Sequence, residues 1–176
     1  MRRLVLPLVL LALVGVGPRP LNASSGKGED ELPRDLGLLY GALDRGDLGQ
    51  HRELYSSAEA LAEVRKGRPL PSGTELTMIV YGIARDAVGT PVATDGRFLK
   101  QAPLAYLLMR KRGGTKPKSA ESADSAWHFQ IFGPDKRIVR GAKLADCAAC
   151  HEKRRDEDFI FSHDEMKEYF RRNPAR

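Results

Sequence analysis

Leu76-Thr77-Met78-Ile79-Val80-Tyr81-Gly82-Ile83-Ala84 is crowded with β-branched and aromatic side chains, follows Pro71-Ser72-Gly73 and gives way to a turn-rich stretch. That is the composition of a buried strand between breakers. On its C-terminal side, Gly89-Thr90-Pro91 and Asp95-Gly96 lead to a second apolar strand over Pro103–Met109. A third strand covers Trp127–Phe132, where Trp127, Phe129 and Ile131 alternate with His128 and Gln130. Gly133-Pro134-Asp135-Lys136 then turns the chain into Ile138-Val139. Residues 113–126, rich in Gly, Lys, Pro, Ser and Ala without periodicity, are expected to form a surface loop.

On the N-terminal side of this strand the pattern is helical. Leu36, Leu39 and Leu43, then Leu54, Ala58, Leu61 and Val64, recur at three- and four-residue spacing. They predict helices over about residues 35–45 and 50–66, separated by Gly46 and Gly49 and stopped by Gly67 and Pro69. A helical piece is expected over Cys147–Lys153, and an exposed final helix over Asp164–Arg172. The fold class is therefore α+β: a predominantly antiparallel sheet with N-terminal helices and a motif-bearing C-terminal helical segment.

The 176 residues have room for one ordinary domain. Hydrophobic residues at 41% and charged residues at 30% give the balance of a globular chain. No phosphate-binding loop, dinucleotide fingerprint or serine-hydrolase elbow occurs. Residues 1–23 have the form of an export signal: Arg2 and Arg3, an apolar run from Leu4 to Val16, and a small-residue cleavage site at Asn22-Ala23. The run is too short for the roughly 20 residues of a membrane span; an uncleaved anchor is the competing reading, and no stable membrane insertion is expected after cleavage. No cysteine follows it to carry a lipid. Loss of Arg2, Arg3 and Arg19 lowers the formal charge from +6 to +3, too weak and too interspersed for a nucleic-acid partner. Residues 24–34 read as a flexible lead-in, and residues 35–172 as one domain.

Both cysteines fall in Cys147-Ala148-Ala149-Cys150-His151. This is C-x-x-C-H, the attachment motif of haem c. Two thiols three positions apart can add to the two vinyl groups of one haem, and the next residue brings an imidazole beneath the iron. Cofactor binding is thus assigned to Cys147, Cys150 and His151, with His151 as the metal ligand of a single covalently attached haem c. Three other uses compete: a thioredoxin-like redox pair, a zinc site including His151, and a structural disulfide. Only 25 residues follow His151, with Met166 the sole methionine among them. Met78, Met109 and His128 are the candidates for a sixth iron ligand in an electron-transfer cytochrome, with the methionines equally explained as core packing and His128 as an exposed edge residue. His51 and His163 read as surface positions. With no strong sixth ligand, a five-coordinate iron with an open face is expected, one that binds small diatomic molecules or activates a substrate. Phe98, Phe129, Phe132, Phe159 and Phe161 are candidates for its apolar lining, with aromatic core packing the competing reading of each. Asp156, Glu157 and Asp158 read as a solvated charge run, with tuning of the haem propionates or the iron potential as the alternative.

From about residue 48 to 165 the chain resembles the cytochrome P-460 family, which includes the cytochromes c′-beta. The segments that carry the likeness occur in the family's order. They are His51-Arg52-Glu53-Leu54-Tyr55, Gly67-Arg68-Pro69-Leu70-Pro71-Ser72-Gly73-Thr74, Gly96-Arg97-Phe98, Trp127-His128-Phe129-Gln130-Ile131-Phe132, and Cys147–His151 followed by Asp158-Phe159-Ile160-Phe161-Ser162. The resemblance implies an antiparallel β fold with flanking helices and a periplasmic, often dimeric protein with five-coordinate haem c. It also implies small nitrogen ligands: hydroxylamine, oxidised by the enzymes of the family with electrons passed to a redox partner such as a cytochrome, or nitric oxide, bound by the c′-beta members. In the enzymes a lysine is crosslinked to the haem edge, and its expected place is the strand after Gly73-Thr74. That strand carries no lysine here; Lys100 and Lys111 lie further along.

Overall fold

The computed structural model describes residues 30–113 and 122–174. The expected export signal, most of the lead-in and residues 114–121 of the expected loop lie outside the described residues. The elements, in chain order, are β1 (Leu38–Arg45), β2 (Gln50–Ser56), α1 (Ala58–Arg65), β3 (Glu75–Ile83), β4 (Ala93–Thr94), β5 (Arg97–Phe98), β6 (Lys100–Lys111), α2 (Ala123–Ala126), β7 (Trp127–Phe132), α3 (Leu144–His151), a 3-10 segment (Glu152–Glu157) and α4 (His163–Arg172). Five strands form one antiparallel sheet in the order β1-β2-β3-β6-β7, and β4 and β5 pair separately. The α+β class and the antiparallel sheet are those expected from the sequence.

The predicted helices over 35–45 and 50–66 are corrected. Residues 38–45 and 50–56 are a β-hairpin, and only Ala58–Arg65 is helical. The pattern misleads for a physical reason. Strand alternation is legible when one face is apolar and the other polar, but β2 buries His51 and Glu53 on one face and Leu54 on the other. With buried charge on the far side, only the leucine spacing remains visible, and it fits a helix. Gly46 and Gly49 belong to the hairpin turn, where Gly49 takes φ +63° and donates its N–H to the Gly46 carbonyl at 3.3 Å. The helix that does form starts where Ser57 caps it, its hydroxyl accepting from the Ala60 N–H at 3.2 Å.

The sheet has two different faces. Leu54, Leu76, Met78, Met109 and Phe129 share one, packed with α1, α3 and α4 in the main core. Ile79, Tyr106, Leu108 and Phe132 share the other, covered by Leu32, Leu36 and Ile138. A bulge between Leu39 and Gly41 turns Tyr40 onto the first face. The helix α4 is not simply exposed: Met166 and Tyr169 are buried against the core. It comes close to β1 because Gly41 has no side chain; a Cβ there would stand 3.1 Å from the Glu165 Cβ. In the expected loop 113–126, the last turn is instead α2, with Ala123 and Ala126 buried. No described helix is long and apolar enough to cross a membrane.

Candidate functional site

The three motif residues come together at the end of α3, against the first face of the sheet. Cys147 and Cys150 stand one helical turn apart and therefore share a side of the helix. Both thiols are free, Cys147 half-buried and Cys150 exposed. Burial, with the nearby Asp146 carboxylate, pushes the Cys147 thiol above its ordinary value. Of the competing readings, the disulfide is not formed. Among the described residues no group of three or more His, Cys, Asp or Glu side chains is placed to hold a metal ion, which disfavours the zinc site.

His151 is held in one tautomer. Its Nδ1 lies 2.6 Å from the carbonyl oxygen of Phe159. A carbonyl only accepts, so Nδ1 carries the proton and donates, and the Nε2 lone pair is left for a metal. Burial lowers the His151 pKa against the opposing effect of this hydrogen bond, favouring the neutral imidazole that a ligand must be. Phe129 and Phe161 pack against the ring, with centroids at 5.2 Å and 5.1 Å.

A cavity of about 430 Å³ opens beside these residues, within the range of small-molecule and cofactor sites. Its walls are mainly apolar, with Leu54, Leu76, Met78, Met109, Phe129 and Ile160 prominent. Polar groups are confined to a few places. Arg45 and Arg52 supply positive charge, Arg45 paired with Asp47 at 2.7 Å and Arg52 bonded to the Gln50 amide oxygen at 2.8 Å. Burial, and the repulsion of Arg45, lower the pKa of Arg52. Tyr40 and Ser162 share a hydroxyl hydrogen bond of 2.8 Å, and burial raises the Tyr40 phenol far above its ordinary value. Glu165 brings one buried carboxylate oxygen, Oε2, that has no hydrogen-bond partner among the described residues.

The carbonyl that meets His151 sits in an unusual turn. Asp158 and Phe159 take φ +58° and +63° in succession, a conformation that costs a non-glycine residue roughly 1–2 kcal/mol each. Trp127 Nε1 donates to the Asp158 carbonyl at 2.9 Å, and Lys111 Nζ reaches the Asp158 carboxylate at 2.5 Å.

The other candidates divide. Met78 and Met109 line the cavity, whereas His128 does not. Of the five phenylalanines, Phe129 and Phe161 line it and Phe159 packs in the main core nearby. Phe132 belongs to the opposite face of the sheet, and the space beside Gly46 is filled by Phe98. Asp158 is no part of a solvated charge run: it is buried and paired with Lys111. His51, expected at the surface, is buried on the far face, where Nδ1 meets Asp44 Oδ1 at 2.6 Å. Lys100 pairs with Glu53 in the same region. The sequence reading missed Tyr40, Arg45, Arg52 and Glu165, since nothing local marks a residue as facing a cavity assembled from both ends of the domain.

The residues present fit a haem c. Two free thiols at the cavity mouth suit the vinyl edge, the apolar walls suit a porphyrin, and a tautomerically fixed imidazole presents Nε2. A search of the curated proteins finds no match to the chain. The family described as Cytochrome P460 matches residues 34–162, a span that takes in the hairpin, the whole sheet, α3 and the Asp158–Phe159 turn. The chain is a haem protein of the cytochrome P460 family.

Proposed function

We propose that this is an exported, periplasmic protein with one haem c, tethered through Cys147 and Cys150, whose five-coordinate iron is held by His151 and binds nitric oxide or a related nitrogen ligand. The observation that carries the reading is the free Nε2 of His151 beside two free thiols at an apolar cavity. When bound, the haem supplies an iron with one open position for a small ligand. The chain's own residues do the rest. Phe159 fixes the imidazole, Phe129 and Phe161 restrain its rotation, and the leucine and methionine walls exclude water and anions in favour of an uncharged diatomic. Arg45 and Arg52 are the cations on hand for the haem propionates.

Between gas binding and hydroxylamine oxidation, the lysines favour the former. Among the described residues no lysine lines the cavity, and Lys100 and Lys111 are committed to Glu53 and Asp158. The optical spectrum of the exported protein tests the reading. A high-spin haem c spectrum that shifts with carbon monoxide or nitric oxide supports it. A strongly red-shifted reduced band would indicate a crosslinked haem and restore the oxidase. A second reading, an electron-transfer cytochrome, draws on the presence of Met78 and Met109 in the cavity wall. A low-spin spectrum indifferent to carbon monoxide, and lost in Met78→Leu or Met109→Leu, would establish it.

A further inference from the structure

Asp158 and Phe159 form a two-residue left-handed turn with neither position glycine. Such a turn persists only where its surroundings over-determine it. Three elements do so here. From the 3-10 segment, the Arg154 carbonyl accepts the Phe159 N–H at 2.7 Å. From the start of β7, Trp127 donates its indole N–H to the Asp158 carbonyl. From the end of β6, Lys111 extends to the Asp158 carboxylate, both side chains being largely buried, at 13% and 9% exposure. Lys111 and Trp127 are directly opposite in the β6–β7 ladder, so the sheet delivers both groups to the same residue. The Lys111 ammonium also lies 5.6 Å from the centre of the Trp127 ring.

The turn's product is the orientation of one carbonyl. With the backbone in this conformation, the Phe159 oxygen points at Nδ1 of His151. We propose that Lys111 and Asp158 are positioning residues for the proximal ligand: their ion pair clamps the turn that presents the Phe159 carbonyl to His151, and so sets the direction and donor strength of its Nε2. A buried charge pair suits this task, because its members cannot drift without leaving an unpaired charge in the interior. Groups that hydrogen-bond a ligating imidazole fix its ring and raise its basicity. This inference rests on the reading of His151 as the iron ligand.

The test uses the haem-loaded protein in the ferrous, carbon monoxide-bound state, which is diamagnetic. In Lys111→Met and Asp158→Asn, solvent exchange of the His151 Nδ1–H proton, followed by NMR, is expected to accelerate roughly tenfold or more. Lys111→Arg, which keeps the charge, should stay within roughly twofold of wild type and shows rescue if the larger variants fold poorly. In the unliganded ferrous protein the iron–histidine stretching band should move to lower frequency in the two disrupted variants. Unchanged exchange and an unmoved band in Lys111→Met and Asp158→Asn, with only thermal stability reduced, would overturn the proposal. Absence of the iron–histidine band in the wild-type protein would instead count against the five-coordinate reading, and the exchange measurement would still decide the role of the pair.

Discussion

Asp44 Oδ1 lies 2.6 Å from His51 Nδ1 across the β1–β2 hairpin, on the face of the sheet turned away from the cavity. The same carboxylate accepts from the Phe98 N–H at 3.3 Å and faces Arg97 at 3.7 Å, so it ties the hairpin to β5. Both residues are largely buried, and removing His51 takes from the carboxylate the shortest of its three contacts and leaves a cavity in its place. His51→Ala is expected to cost about 2–4 kcal/mol in urea unfolding while leaving the haem spectrum unchanged. A spectrum that changes with it would couple this far-face network to the haem.

Glu53 makes the neighbouring network sensitive to acid. Burial opposes ionisation of its carboxyl, but hydrogen bonds from Lys100, Tyr55 and Tyr81 outweigh it and hold the pKa below the ordinary 4.5. A depressed carboxyl pKa stabilises the fold above the unfolded value and loses that contribution as pH falls through the folded one. Stability should therefore decline from about pH 4.5 downward. Glu53→Gln should be less stable at neutral pH and should flatten this acid limb in unfolding midpoints measured across pH.

The two thiols should share the tethering task unequally with the imidazole. Cys147→Ala and Cys150→Ala each leave one thioether, so each single variant should retain haem through denaturing electrophoresis at reduced yield. The double variant should lose it entirely. His151→Gly should keep the tethers and lose the proximal bond, and added imidazole should restore the wild-type spectrum. Haem staining on gels and optical titration check the series.

Gly37 takes φ +81°, and a Cβ there would stand 2.3 Å from the Ser56 carbonyl oxygen. The obstacle is backbone at the open end of the hairpin, where the chain entering β1 lies beside the end of β2, and it cannot rotate away. Gly37→Ala should destabilise the protein by at least about 2 kcal/mol in thermal or urea unfolding. Gly67→Ala provides the contrast: it shares a positive φ but has nothing within 4 Å, so only the backbone penalty of about 1 kcal/mol should appear.

The candidate haem-attachment motif is local in the chain and therefore legible. C-x-x-C-H needs only the spacing of one helical turn, and α3 realises it as written. The strands β3, β6 and β7 were likewise readable, because β-branched and aromatic runs between breakers leave few alternatives. The hairpin of β1 and β2 was not. Its leucines suit a helix as well as a strand, and the choice was made by pairing with β3 and by buried charges that only the folded sheet satisfies. Long-range geometry also decided the cavity and its support. Lys111 and Asp158 are 47 residues apart, and Tyr40 and Ser162 are 122 apart. No periodicity links positions so distant; the antiparallel register of the sheet and the left-handed turn at Asp158 and Phe159 bring them together. Residue order thus placed two thiols and an imidazole on one helix, and tertiary packing decided which residues line the cavity beside them and which carbonyl the imidazole meets.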